Sequence, residues 1–331
     1  MELHRDWDSV EHAACGRLDR SAQSCLFDRL AWFRLLARHN PPAGELLALQ
    51  AKGREQDSWL FLAVADGTAR GYANWYSLRF AAVGDEPETL EAVATALRRH
   101  RPAIHTLLLE PLDSSNPLPR AFASAGWLTL VDPATTSWTI DTRGMDFDAY
   151  WATRGSRLRN TAKRKAKAAG LDIEVRDRFD PEAWAAYEHV YERSWKPAEG
   201  SPAFLRALAE QEAAAGALRL GIARKEGEPV AAQLWLVENG TATIHKLAYV
   251  EAARELSPGT VLSVAMFRRV LDADRVDRID FGTGDDAYKA DWMDRSSPLN
   301  RLQAFNPSTF QGLAGALRAK ASKLVRRVRS H

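Results

Sequence analysis

The sequence predicts an α/β (α+β) protein made of two copies of one unit, each a mixed, mostly antiparallel sheet flanked by helices. Three observations carry this expectation. Tight-turn dipeptides, Asp66-Gly67 in the first half and Glu226-Gly227 and Asn239-Gly240 in the second, lie between apolar runs of strand length, which is a hairpin pattern. Helical periodicities separate the strands, so sheet and helix alternate along the chain. Both halves then follow the same order of helices, hairpin, helix, strand, helix, strand, with a boundary near Arg143-Gly144.

In the first half an amphipathic helix is expected over 26–38, with Leu26, Leu30, Phe33 and Ala37 at helical spacing. Strands follow at 59–65 and 71–78, then a helix over 87–100 with Leu90, Val93, Ala94 and Leu97 turned inward. A buried strand at 104–109, a short helix at 119–125 closed by Gly126, and strands at 127–131 and 136–140 complete it. The second half opens with Asp146 as N-cap of a basic helix that runs to Ala169 and stops at Gly170. A strand at 171–176 precedes two helices announced by Asp180-Pro181 and Ser201-Pro202, each a cap followed by proline. Strands are expected at 217–223, 229–237 and 241–250, a helix at 259–271, and strands at 276–281 and 302–305. The corresponding division is 1–143, 144–307 and a basic amphipathic tail, 308–331.

A composition of 46% hydrophobic and 27% charged residues with eleven tryptophans is that of a globular protein and excludes a disordered chain. The start, Met1-Glu2-Leu3-His4-Arg5-Asp6, has no apolar core of a secretory signal, and no run of about 18 apolar residues occurs. The expected location is cytoplasmic. Cys15 and Cys25 lack companions for a zinc template or a disulfide framework, so no metal is expected. The net charge of +2 conceals two cationic segments, 154–167 with seven cations and 318–329 with six, neither containing a carboxylate.

The most informative segment runs from Tyr249 and Val250 through Arg254 to Ser257-Pro258-Gly259-Thr260-Val261-Leu262, where a strand ends and a helix begins. First-turn N–H groups have no intrahelical partners and the helix dipole adds partial positive charge, so such an end can hold a pyrophosphate. No acid occupies 257–262, whereas the matching turn of the first half reads Gly84-Asp85-Glu86-Pro87-Glu88. An ordinary capped helix is the competing reading.

The layout resembles the GNAT acyltransferase fold. The second half resembles its subfamily of cellulose and exopolysaccharide biosynthesis (CelD/BcsL-like), over about 146–305. The matching pieces are Arg157-Leu158-Arg159, Gly170, Gly216-Ala217-Leu218-Arg219-Leu220, Pro229-Val230-Ala231-Ala232-Gln233 and His245-Lys246-Leu247-Ala248-Tyr249. Ser257 to Leu262 and Asp280-Phe281-Gly282-Thr283-Gly284-Asp285-Asp286-Ala287-Tyr288-Lys289 complete the set. A tandem arrangement with a degenerate first copy also resembles the Fem-type peptidyltransferases. The usual GNAT glycine signature is incomplete, because Arg254 lies five residues before Gly259 and no second glycine follows.

The resemblance implies acetyl-CoA or another acyl-CoA as co-substrate and a saccharide, amino-sugar or envelope-polysaccharide acceptor. Under the Fem alternative the donor is a charged tRNA, and a third reading is an inactive GNAT-fold binding module. The resemblance places catalysis at Asp280, Asp285, Tyr288 and Lys289, with His245 as a further base; apart from it, Trp195 and Lys196, before Pro197, are read as lining an acceptor cleft. Each has a plainer reading: a capping turn for the aspartates, ring packing for Tyr288 and Trp195, a solvated Lys289, a core His245. The basic helix, through Arg157 and Arg159, either reads a phosphorylated acceptor or is a solvated face. The tail, with Leu313, Leu317, Leu324 and Val328 among its cations, either rests on an anionic membrane or frays.

Overall fold

The computed structural model describes residues 1–329, with side chains described through residue 323. In chain order the first elements are β1 (Glu2–His4), α1 (Trp7–Ala14), α2 (Leu30–His39), β2 (Glu45–Ala51), β3 (Ser58–Ala65), β4 (Thr68–Gly71), α3 (Pro87–Arg99), β5 (Thr106–Asp113), α4 (Leu118–Ser124) and β6 (Leu128–Asp141). Then come α5 (Phe147–Thr153), α6 (Ser156–Ala169), β7 (Leu171–Arg176), α7 (Pro181–Glu192), α8 (Pro202–Ala214), β8 (Leu218–Lys225), β9 (Glu228–Glu238) and β10 (Thr241–Tyr249). The last are α9 (Pro258–Arg268), β11 (Arg278–Thr283), β12 (Arg295–Phe305) and α10 (Phe310–Arg329). Two compact units result, one of residues 1–135 with the segment from 298 onward, the other of residues 136–297.

The fold is mixed α/β with mostly antiparallel strands. The first unit orders its strands β1–β2–β3–β4–β5–β12, antiparallel except where β4 lies beside β5. The second orders them β7–β8–β9–β10–β11–β6, antiparallel except where β10 lies beside β11. The plans are the same, and in each the sixth strand arrives out of sequence. β6 follows β5 in the chain yet pairs with β11, and β12 follows β11 yet pairs with β5.

In the first unit β3 is buried on both faces, which explains its unbroken apolar run. Leu60 and Leu62 join a core with Leu90, Val93 and Leu97 of α3. The alternate residue Phe61 meets Phe33 of α2 at 4.3 Å and Trp7 of α1 at 5.8 Å between ring centroids. The helix expected over 26–38 is broken: Leu26–Asp28 is a single 3₁₀ turn and Arg29 is extended. Its buried guanidinium donates to the carbonyls of Gln23 and Ser24, fixing the break. The strand expected at 71–78 lies earlier, as β4 at Thr68–Gly71, with no strand over 72–78, and the two strands expected at 127–131 and 136–140 are one, β6.

In the second unit Ala231 and Trp235 of β9 pack with Leu262, Met266 and Phe267 of α9, while the alternate Leu234 and Leu236 are also buried and α7 packs against the same strand. At Gly221 of β8 a Cβ would lie 2.5 Å from Met266 Sδ, so a larger residue there would make the Met266 side chain shift. The basic helix is interrupted at Arg154-Gly155, where Arg154 turns to Asp294 at 2.6 Å. A buried fork joins Arg219 of β8 to Asp274 through bonds of 2.9 and 2.7 Å. Arg219→Ala is expected to destabilise this unit by about 2–3 kcal/mol, because it removes both fork bonds and leaves the Asp274 carboxylate to Arg269, 3.5 Å away. A chemical-denaturation midpoint unchanged by the substitution would contradict that assignment.

Candidate functional site

β10 and β11 run side by side only for Thr241–Thr243 against Arg278–Asp280. Beyond that point β10 keeps its partner β9 as far as Tyr249, with a bulge between Ile244 and Lys246, but has no ladder partner on its other edge. The parting leaves that edge of β10 without a strand partner beyond Thr243. β10 then leads through a 3₁₀ turn, Glu251–Leu256, into α9.

The α9 N-terminus is open. Ser257 has a left-handed backbone (φ +51°) and makes no capping hydrogen bond, Pro258 holds the first position, and the first turn carries no acid. The turn is fixed from beneath: Trp235 Nε1 donates to Gln233 Oε1 at 2.9 Å, and Gln233 Nε2 donates to Ser263 Oγ at 2.8 Å and to the Gly259 carbonyl at 3.2 Å. No side chain caps its first-turn N–H groups, which leaves them and the helix dipole unanswered at this end. A Cβ on Gly259 would lie 3.3 Å from the Tyr249 ring. Thr260 is half-buried, whereas Val261 and Leu262 turn into the core, and the Val261 N–H already bonds the Ser257 carbonyl. These two support the turn from within. Arg254 is exposed and pairs with Glu251 at 3.6 Å, and Val250 bridges to Ser194. In the first unit Glu86 instead turns back on the chain, accepting the N–H groups of Arg54, Glu55 and Gln56, which hold its carboxyl below the usual range.

The basic helix α6 packs against both the 251–256 turn and α9, with Leu158 and Ala162 buried. Lys165, on that inner side, donates to the Glu255 carbonyl. Arg157, Arg159, Lys163, Arg164 and Lys167 are exposed, and among the described residues none of them forms an ion pair. Lys165 thus stands beside the turn that leads into α9.

The loop after β11 is tied down, contrary to the flexibility that its two glycines suggest. Lys289 is 3% exposed, its ammonium donates to the Thr283 carbonyl at 2.6 Å and pairs with Asp286 at 3.6 Å, and burial lowers its pKa. It is an internal strut and not the solvated lysine of the plainer reading. Trp138 Nε1 donates to the Gly284 carbonyl at 3.1 Å, and Asp280 accepts the Gly282 N–H at 2.8 Å. Asp285 is exposed, and Tyr288 is partly exposed with its ring edge-on to Phe281 at 5.7 Å. Burial, followed by Asp286, pushes the Tyr288 phenol above its ordinary range. His245 is 7% exposed and neither ring nitrogen has a hydrogen-bond partner. Burial, with a smaller part from Lys246, pulls its pKa down to about 3, so its ring is neutral and a weak base at neutral pH.

Three residues that sequence reasoning missed, Lys246, Glu199 and Tyr191, meet at β10. Lys246 pairs with Glu199 at 3.1 Å, and its ammonium lies 5.5 Å from the Tyr191 ring. Burial, then Glu199, pushes the Tyr191 phenol up to about 12. A lysine in the middle of a largely apolar strand was the available signal. Lys196 stands beside this pair. Burial first, then Lys246, pulls it down to about 8, with Lys289 adding to the shift and Asp286 and Glu199 opposing it. Its neighbour Trp195 is exposed and packs at 4.2 Å against Tyr249, the last residue of β10. Trp195 and Lys196 thus lie next to the strand that leads into the open helix end.

Residues 154–290 match the family Acetyltransf_6, described as an acetyltransferase (GNAT) domain. No curated protein matches the sequence. Among solved structures, FemX superposes with a TM-score of 0.62 at 11% identity, covering 94% of this chain and 99% of that one. The C-terminal domain (DUF2156) of a putative lysylphosphatidylglycerol synthetase from Agrobacterium fabrum gives 0.61 at 15% identity, covering 97% of each. A tandem GNAT protein from the clavulanic acid biosynthesis pathway gives 0.55 at 18% identity, covering 93% of this chain and all of that one. At these identities the likeness is one of fold. Residues 154–290 thus match a GNAT domain, and the chain shares its fold over 93% of its length with a tandem GNAT protein.

Proposed function

We propose that the second unit is an acyl-CoA-dependent N- or O-acyltransferase. The observation that carries this reading is the uncapped, acid-free N-terminus of α9 at the end of a parted strand, within the segment that matches the GNAT family. The N–H groups of Gly259 and Thr260 are assigned to the donor's pyrophosphate, and Lys165 and Lys163 of α6 to its outlying phosphate. This moves the basic helix from the acceptor, where its sequence placed Arg157 and Arg159, toward the donor. When bound, the donor supplies an activated acyl thioester.

The remaining work belongs to this chain's own groups. Lys196, about half neutral near pH 8, accepts the proton that the acceptor's amine or hydroxyl gives up. N–H groups on the unpaired edge of β10 stabilise the developing oxyanion. Tyr288, whose raised pKa keeps it protonated, returns a proton to the departing sulfur. Lys289 and Asp280 hold the loop that positions it. The exposed rings of Trp195 and Tyr288 suit the faces of a saccharide or amino-sugar, with Asp285 at hand for its hydroxyls. His245, neutral and enclosed, is left out of the proton path.

The unpaired cations of α6 favour one second reading, a polyanionic donor such as a charged tRNA, as under the Fem alternative. Calorimetric titration with acetyl-CoA decides between them. The first reading expects micromolar binding of one equivalent. Absence of heat with acetyl-CoA, together with tRNA binding that weakens steeply with salt, would establish the second.

A further inference from the structure

α10 packs through its small residues against β5 and the end of β12. A Cβ at Gly312 would lie 2.1 Å from the Asn306 carbonyl oxygen, one at Gly315 would lie 2.9 Å from the Phe305 ring, and Ala316 is 4% exposed. At 3.6 residues per turn, Phe310, Leu313 and Leu317 project from the opposite side of the helix. They are 83%, 44% and 70% exposed. Leu324 and Val328 continue the same spacing in the sequence, although their side chains lie outside the described residues. An apolar stripe turned away from its own unit has no role in the packing of α10.

The charges around the stripe identify what it fits. From 308 to 331 the sequence has no carboxylate, and six lysines and arginines fall between 318 and 329. Arg318 and Lys320 are exposed, while Lys323 pairs with Asp132 at 2.5 Å. A nucleic acid would use the cations but leave three large apolar side chains in water. A second copy of the helix would cover the stripe but bring like charges together. A bilayer with anionic headgroups satisfies both, burying the stripe at the acyl boundary while the cations meet phosphates. Among the described residues no helix is long and apolar enough to cross a membrane. We infer that α10 is an in-plane docking helix for an anionic membrane surface.

The test is co-sedimentation of the full chain with phosphatidylcholine vesicles, with and without phosphatidylglycerol. The chain is expected to bind the anionic vesicles at least about 10-fold more tightly than the neutral ones, and the binding to weaken as salt is raised. The triple variant Phe310→Ser, Leu313→Ser, Leu317→Ser is expected to lose roughly 100-fold of that affinity. Its unfolding temperature should stay within a few degrees of the parent, since all three side chains are exposed. The double variant Arg318→Glu, Lys320→Glu should lose the preference for anionic lipid while keeping the same unfolding temperature. Failure to bind either vesicle overturns the inference. So does equal binding by the folded triple variant, which would leave charge alone at work. A dimer in sedimentation equilibrium that the triple variant dissolves would assign the stripe to a second copy instead.

Discussion

Gly259→Asp is expected to abolish acyl-CoA binding while the protein stays folded. A carboxylate at the second position of α9 would sit among the N–H groups assigned to the pyrophosphate and cancel the favourable end of the helix dipole. The loss should be at least about 100-fold, or roughly 2.7 kcal/mol. Gly259→Ala separates bulk from charge: its Cβ meets only the Tyr249 ring, at 3.3 Å, so affinity should fall by no more than several-fold. Unchanged affinity in folded Gly259→Asp would place the donor elsewhere. The matching glycine of the first unit is no mirror control. Gly84 has φ +87°, and a Cβ there would lie 2.5 Å from the Asp57 carbonyl oxygen, so substitution disturbs the first unit for its own reasons.

Lys196→Met should lower kcat/KM by roughly 100-fold or more, the scale of a lost general base. Methionine keeps much of the stem beside Trp195, so the unfolding temperature should move little. The sign of the pH dependence is the sharper readout. With the pKa of Lys196 lowered to about 8, the neutral amine grows as pH rises, so wild-type kcat/KM should climb below pH 8 and level off above it. The variant should lack that limb. A wild-type profile that falls above pH 8 would mean that the ammonium form is the working one, holding an anionic group on the acceptor, and the proton-acceptor role would go to another group.

Much of this fold was legible in the sequence because local chemistry fixed it. Asp66-Gly67, Glu226-Gly227 and Asn239-Gly240 turn where the dipeptides say, each with a left-handed backbone. Asp146, Asp180 and Ser201 cap α5, α7 and α8 with their own side chains. What stayed hidden depends on partners far along the chain. The breaks at Arg29 and Arg154 follow from where buried guanidiniums find carbonyls or Asp294, and no local propensity records that. β2, seven residues with six buried, alternates no polar face and gives no period by which to tell strand from helix. α1 spans barely two turns, and only the cap of Asp6 on Ser9 announces it.

The candidate site divides in the same way. The helix end was readable because its signal, the acid-free stretch Ser257 to Leu262, is contiguous. The ion pair of Lys246 with Glu199, separated by 47 residues, was not, and neither was the low pKa of Lys196, which arises from burial and two cations on other elements. The buried strut at Lys289 shows the limit from the other side. A charged residue after two glycines reads as solvated, yet the Thr283 carbonyl and Asp286 receive it inside.

The out-of-sequence sixth strands bear on how the molecule is born. A ribosome that has released residues 1–143 has made β6 but not β12, so the first unit has an open edge at β5 and an orphan strand in hand. That strand must wait for β11, and β5 must wait for nearly the whole chain, leaving two unpaired edges exposed through most of synthesis. Severed near residue 143, each half would hold the strand that the other lacks. The two fragments would be insoluble alone and complementary when mixed, as in a split protein that reassembles by trading strands.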